Sequence, residues 1–258
     1  MIAVIIQART GSTRLHGKVL AEIEGKPMIW HVINRVKRAK NIDEIIVATT
    51  NLKEDKKIIE IAENSGVKSF AGSEKDVLDR YYKAAEKYNA DTIVRITGDC
   101  PFADHEIIDK TIDFFKKNNF DYVSTGHIAN QKHGSNYPDG LDTEVFSFFA
   151  LERAWKEAGL LSEREHVTPY IWKNENLFEV KTIDNDKDLS SMRWTIDEDR
   201  DLKFVREVYK RLYPENKMFL MEDIINLFKK EPELLEINKN INKDEGYYKS
   251  LKEDEERK

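Results

Sequence analysis

A single cysteine, Cys100, excludes an internal disulfide and fits a reducing compartment. No apolar run approaches the length of a membrane span. The first residues, Met1-Ile2-Ala3-Val4-Ile5-Ile6, lack a basic leader and are too short for a secretory core, so they read as a core strand and predict a cytoplasmic chain without membrane contact. A cationic excess is missing too: 42 Lys and Arg against 48 Asp and Glu give a formal charge of −6, and such a surface repels nucleic acid. Internal repeats and low-complexity tracts are absent. The first loop is neither a Walker A sequence nor the Rossmann dinucleotide fingerprint, because five residues separate Gly11 from Gly17 and Val19 stands where Ser or Thr would follow the lysine.

What is present is concentrated. The strand 2–6 runs straight into Gln7-Ala8-Arg9-Thr10-Gly11-Ser12-Thr13-Arg14-Leu15-His16-Gly17-Lys18. Three permanent cations, two glycines and three small hydroxyl residues share this loop. Glycines let backbone N–H groups approach phosphate oxygens, while Arg and Lys neutralise charge that would repel an incoming nucleophile. A solvated basic turn after an edge strand is the alternative.

With 258 residues, 40% hydrophobic and 35% charged, the chain suits one large α/β domain with an added lobe. Ile29, Val32, Ile33 and Val36 mark a helix after Pro27, and 45–48 is a second strand. Helix 54–64, strand 67–70, helix 77–88 and strand 92–96 follow. Such alternation predicts right-handed βαβ units around a mostly parallel sheet. The polar stretch 127–142 reads as a functional loop within a flap or lobe at about 124–175. Strand 143–148, helices 149–158 and 162–173, strand 192–196 and helices 199–212 and 221–228 complete a domain over 1–230. The charged segment 231–258 reads as a loosely attached tail.

In a parallel α/β sheet, ligands sit beyond the carboxyl ends of the strands, where the 9–18 loop and Gly98-Asp99-Cys100-Pro101 both emerge. Asp99 there suits a carboxylate that ligates Mg²⁺ together with phosphate oxygens, or else it caps the next helix. Asp197, directly after Arg193-Trp194-Thr195-Ile196, poses the same choice. The loop Gly72-Ser73-Glu74-Lys75-Asp76 offers its backbone to a base or ribose, with Ser73 or Asp76 as plain helix caps the alternative. Asp139, Asp142 and Glu144 suit a hydroxyl-rich substrate, although Pro138-Asp139-Gly140 is also an ordinary turn. His166 follows Glu163-Arg164-Glu165 on a predicted helix, either on a solvated or subunit-contacting face or as a catalytic group.

Together these segments resemble the cytidylyltransferase family that makes CMP-activated acidic sugars, and most closely its branch related to spore-coat polysaccharide biosynthesis proteins. The similarity spans roughly residues 1–212. It rests on Ile6 to Leu15 with Gly17-Lys18-Val19-Leu20, Val47-Ala48-Thr49-Thr50, Gly72-Ser73 with Asp76-Val77-Leu78-Asp79-Arg80-Tyr81, and Val94 to Pro101. Gly140-Leu141-Asp142, Glu144-Val145-Phe146, Arg164 to Tyr170 and Arg193 to Asp197 continue it. His16 departs from the proline usual before Gly-Lys, without loss of a cation. The resemblance implies a three-layer nucleotide-binding α/β sandwich, commonly dimeric through the later lobe, with CTP and a sugar or sugar acid as substrates. It further implies nucleotide contacts from Gln7, Ala8, Arg9, Thr10, Gly11, Ser12, Arg14, Lys18, Gly72, Ser73, Asp76, Thr97 and Gly98, and Mg²⁺ at Asp99 and Asp197. Arg9, Arg14, Lys18 and Asp99 then serve catalysis, while Asp139, Asp142, Glu144 and His166 face the sugar. A glycosyltransferase using a nucleotide sugar, or a non-catalytic nucleotide-binding protein, remains an alternative; the former typically carries an Asp-x-Asp pair, whereas Cys100-Pro101 follows Asp99 here.

Overall fold

The computed structural model describes residues 1–126 and 136–257. The expected loop therefore lies outside the described residues over 127–135. Strands β1 (Ile2–Gln7), β4 (Glu44–Thr50), β5 (Lys68–Gly72), β6 (Thr92–Thr97), β7 (Tyr122–Ser124), β8 (Glu144–Ser147) and β9 (Val180–Thr182) form one sheet in the order β5-β4-β1-β6-β8-β7-β9. β8 runs antiparallel to both its neighbours and the remaining pairs are parallel. A short hairpin, β2 (Glu22–Ile23) with β3 (Lys26–Pro27), stands apart from it.

Two-residue alternation along the strands feeds two cores. Val4, Ile6, Val94 and Ile96 point to one face, where α1 (Met28–Val36), α2 (Lys56–Asn64), α4 (His105–Lys117), α8 (Asp199–Leu212) and α9 (Met221–Lys230) pack. Ala3, Ile5, Ile46 and Ile93 point to the other. There they meet α3 (Val77–Lys87), α5 (Phe148–Glu157), α6 (Leu161–His166), α7 (Pro169–Lys173) and α10 (Glu245–Glu256). The result is the expected three-layer sandwich. The C-terminal ends of β1 and β6 lie side by side at its centre, with Gln7 paired to Thr97.

Three local expectations fail for physical reasons. Residues 192–196 are no strand, since they make a single bridge, Arg193 to Asp139, and then cross the end of β6, where the Ile196 N–H donates to the Asp99 carbonyl at 3.0 Å. Gly140 enforces this path: its φ of +104° suits only glycine, and a Cβ there would lie 2.6 Å from the Thr195 nitrogen. Helix 162–173 breaks into α6 and α7 at Val167, whose φ is +72°, with Pro169 opening α7. Finally, 231–257 is no frayed tail. Leu234, Asn238 and Tyr247 are buried, and Asp254 of α10 accepts the Leu161 N–H of α6 at 2.6 Å.

Candidate active site

Loop 8–18 hangs from the end of β1 by a buried carboxylate. Asp55 accepts both the backbone N–H (2.8 Å) and the hydroxyl (2.7 Å) of Thr10, and also the Thr50 hydroxyl. These donors outweigh burial, which alone would raise its pKa, and hold it below the ordinary carboxylate range. The Thr10 carbonyl then accepts the Ser12 and Gly17 N–H groups at 2.8 and 2.9 Å, closing the loop on itself. A Cβ on Gly11 would meet nothing within 4 Å, so open space lies over the loop.

The loop delivers Lys18 to the carboxylates. Lys18 is only 8% exposed, and its ammonium donates to Asp99 Oδ2 at 2.6 Å, the Ile196 carbonyl at 2.7 Å and Asp197 Oδ1 at 2.8 Å. Gly98 permits this closeness, because its N–H donates to the Gln7 carbonyl at 2.8 Å and a Cβ would clash with that oxygen and with Ala8. Neither aspartate is a helix cap. Asp104 caps α4, accepting from Glu106, and Asp201 accepts the N–H groups of Asp197 and Glu198 ahead of α8. Burial would raise the Asp99 pKa, but Lys18 overrides it and holds the carboxyl down to about 2. Lys18 is raised in turn, burial being outweighed by Asp99 and Asp197.

Arg14, also from the loop, reaches Asp197 Oδ1 at 2.7 Å and Glu245 at 3.3 Å. Arg9 is half-buried near Arg80, a buried guanidinium whose Nη1 donates to the Ser73 carbonyl at 3.0 Å and whose Nε has no partner among the described residues. Burial and, secondarily, the charge of Arg9 draw the Arg80 pKa down, despite opposing contributions from nearby Tyr81 and carboxylates. Ser73 and Asp76 build the turn into α3: the Ser73 hydroxyl accepts the Asp76 N–H, and Asp76 accepts the Asp79 N–H and pairs with Arg164 at 2.5 Å. The Asp76 carboxylate is thereby spent on the fold, and the carbonyls of Gly72 and Ser73 already accept from the Asn51 N–H and from Arg80.

Beside the carboxylate pair opens a cavity of about 180 Å³ whose walls include Asp139, Asp142, Glu144 and His166, all four residues expected to face the sugar, together with Thr97 from β6. Glu144 is fixed by Arg95 (2.5 Å), the Tyr122 hydroxyl (2.8 Å) and the Thr168 hydroxyl (3.0 Å). Burial, and then the charge of Asp142, push Asp139 up to about 8 against Arg193 and Lys243. Burial takes His166 down to about 4, so its imidazole is neutral at pH 7.

Arg193 joins the cavity to the carboxylate pair. Its guanidinium reaches Asp139 at 3.1 Å, Asp197 at 2.7 Å and Asp201 at 3.1 Å. Sequence reasoning left this role unassigned, and it passed over Asp55 and Arg80 as site-builders. Cys100 is buried, and that burial pushes its thiol well up, away from the reactive thiolate form.

A cation-bearing loop faces carboxylates at the switch of a mostly parallel sheet, in a fold of the nucleotide-diphospho-sugar transferase type. The cytidylyltransferase family model matches residues 3–241, and the chain belongs to that family. It is 46% identical over 239 residues to an uncharacterized protein of Methanocaldococcus jannaschii, covering 92% of this chain and 94% of that one. It is 30% identical to the spore coat polysaccharide biosynthesis protein SpsF of Bacillus subtilis, covering 90% and 95%. The structure of a cytidylyltransferase from Leptospira borgpetersenii superposes with a TM-score of 0.85 at 33% identity, covering 93% of this chain and 98% of that one. Among the described residues, no helix is long and apolar enough to cross a membrane.

Proposed function

We propose that the chain transfers CMP from CTP to a hydroxyl of a sugar or sugar acid, releasing pyrophosphate, in the biosynthesis of a surface polysaccharide or glycan. The observation that carries this reading is the meeting of Lys18 with Asp99 and Asp197 next to a carboxylate-walled cavity, in a chain of the cytidylyltransferase family. Arg9, Arg14 and Lys18 balance the charge of the triphosphate, and Arg80 backs them from the side of Ser73. The acceptor lies in the cavity, its hydroxyls held by Asp139, Asp142 and Glu144. The acceptor oxygen bonds to the α-phosphorus as the bond from that phosphorus to the bridging oxygen breaks; pyrophosphate leaves and the hydroxyl proton passes to solvent. Arg193 keeps acceptor and nucleotide in register by gripping Asp139 and Asp197 at once.

The donor set also suits a hard divalent cation. Two carboxylate oxygens and the Ile196 carbonyl already surround one positive charge, the Lys18 ammonium, and Mg²⁺ needs only one or two carboxylates beside phosphate oxygens. Asp99 and Asp197 would hold Mg²⁺, which supplies charge neutralisation on the phosphates.

The test is to incubate the chain with each nucleoside triphosphate, with and without magnesium, and a panel of neutral sugars and sugar acids, scoring pyrophosphate release. CTP alone is expected to support release. Release from ATP or GTP in preference to CTP would overturn the cytidylyl assignment.

A further inference from the structure

The family model stops at residue 241, yet residues 242–257 form part of the site. Asp244 and Tyr247 both line the cavity beside Asp139, Asp142 and Glu144. Tyr247 is 9% exposed; its ring meets His166 edge-on at 5.1 Å and lies 6.1 Å from Trp172, a second aromatic wall of the same cavity. The segment is anchored on both sides of that opening. Before α10, Lys243 donates to the carbonyls of Ser190 and Met192, beside the Arg193 joint. Within α10, the Ser250 hydroxyl donates to Glu165 at 2.7 Å and lies 3.1 Å from His166 Nε2, while Asp254 accepts from Leu161 at the start of α6. These ties make the segment a built wall.

We propose that the C-terminal segment is the acceptor-selecting wall of the site, with Tyr247 and Asp244 contacting the acceptor. This rests on the cytidylyl reading and deepens it. A tyrosine ring offers an apolar face to the C–H face of a sugar ring, and a carboxylate accepts from sugar hydroxyls. Asp244 and Tyr247 line the cavity whereas Lys18, Asp99 and Asp197 do not, so these two residues face the acceptor, and Glu245 between them reaches back to Arg14 of the phosphate loop at 3.3 Å. The wall lies past the part of the chain matched by the family model.

The experiment uses the full chain. Wild type is first screened with CTP and magnesium against glucuronate, N-acetylneuraminate and 3-deoxy-manno-octulosonate, and the best acceptor is carried into Tyr247→Leu, Tyr247→Phe and Asp244→Asn. Leu keeps an apolar body against Trp172, and Asn tolerates the left-handed backbone at 244, where φ is +56°, so the variants keep the fold. Tyr247→Leu is expected to raise acceptor KM about tenfold, with kcat and calorimetric CTP affinity held within about twofold and Tyr247→Phe close to wild type. Asp244→Asn is expected to change the ranking of acceptors. Unchanged acceptor KM in both Tyr247→Leu and Asp244→Asn, or a parallel loss of CTP affinity, overturns the inference while leaving the cytidylyl reading intact. Absence of pyrophosphate release by wild type with every acceptor overturns the reading itself, and the inference with it.

Discussion

Lys18 Nζ lies 2.6 Å from Asp99 Oδ2, so the ammonium of the phosphate loop occupies the point on which the two site carboxylates converge. Lys18 thus balances carboxylate charge within the site. Lys18→Met removes the cation on Asp99 and one of the three on Asp197, leaving the Asp99 carboxylate poorly solvated beside another carboxylate, a loss of about 1–3 kcal/mol in stability. Millimolar Mg²⁺ or Mn²⁺ is expected to restore more of the variant's melting temperature than it adds to wild type, because the cation then meets no resident ammonium. Equal shifts in both proteins would show that Lys18 and the metal do not share those oxygens.

What was legible in the sequence was local. The first strand, its cationic loop and Asp99 just past β6 are set by contiguous residues, and the structure brings Lys18 to Asp99 as their positions at the sheet end imply, whereas Asp197 arrives on a segment that crosses the end of β6. What was illegible depends on partners distant in the chain. Apolar alternation in 192–196 resembles a strand, but whether a strand forms depends on the neighbour it finds, and Gly140 turns that neighbour away after one bridge. The polar composition of 231–257 suggests fraying, yet Asp254 caps α6, 93 residues earlier, and Lys243 closes onto two carbonyls, contacts that no composition encodes. Asp55 reads as one more surface acid before α2 until Thr10, 45 residues earlier, is found on it.

That buried bond yields a second prediction. Asp55 is fully buried and holds the loop by its backbone as well as its hydroxyl, so Asp55→Ala strands two hydroxyls and one N–H. A stability loss of about 2–4 kcal/mol is expected, with CTP affinity falling by about tenfold as the loop loses its fixed geometry. Melting and calorimetry measure both. CTP binding at wild-type strength would mean that the loop keeps its shape without this anchor.

Histidine supplies a pH dependence. His31 is 2% exposed, its Nε2 lies 2.7 Å from the Ile23 carbonyl, and burial pulls its pKa from 6.5 to about 4, the positive charges of Arg35 and Lys26 adding to this. The unfolded chain takes up its proton near pH 6.5 and the folded chain only near 4. Stability from this group is therefore complete above 6.5 and declines as pH falls towards 4, by roughly 3 kcal/mol in all. The melting temperature is expected to drop through that window, with the His31 ring still neutral by NMR at pH 5. A His31 titration midpoint near 6.5 would contradict the assignment.

Asp99 and Asp197 differ in how the fold uses them, which gives the sharpest pair of variants. Among the described residues Asp99 makes one ion pair, with Lys18, whereas Asp197 receives Arg14 and Lys18 on Oδ1 and Arg193 on Oδ2. Asn preserves the shape of either side chain and deletes the charge that a hard cation requires. Both substitutions are expected to cut CTP-dependent pyrophosphate release by about a hundredfold or more. Their stabilities part: Asp99→Asn is expected to cost about 1 kcal/mol, but Asp197→Asn leaves three cations around a neutral amide and costs about 2–4 kcal/mol. Since neither residue caps a helix, the interchangeability of Asp and Asn at caps offers no rescue. Near-normal release from Asp99→Asn would remove that carboxylate from the chemistry, and equal melting temperatures for the two variants would show that the cations around Asp197 find other partners when its charge is lost.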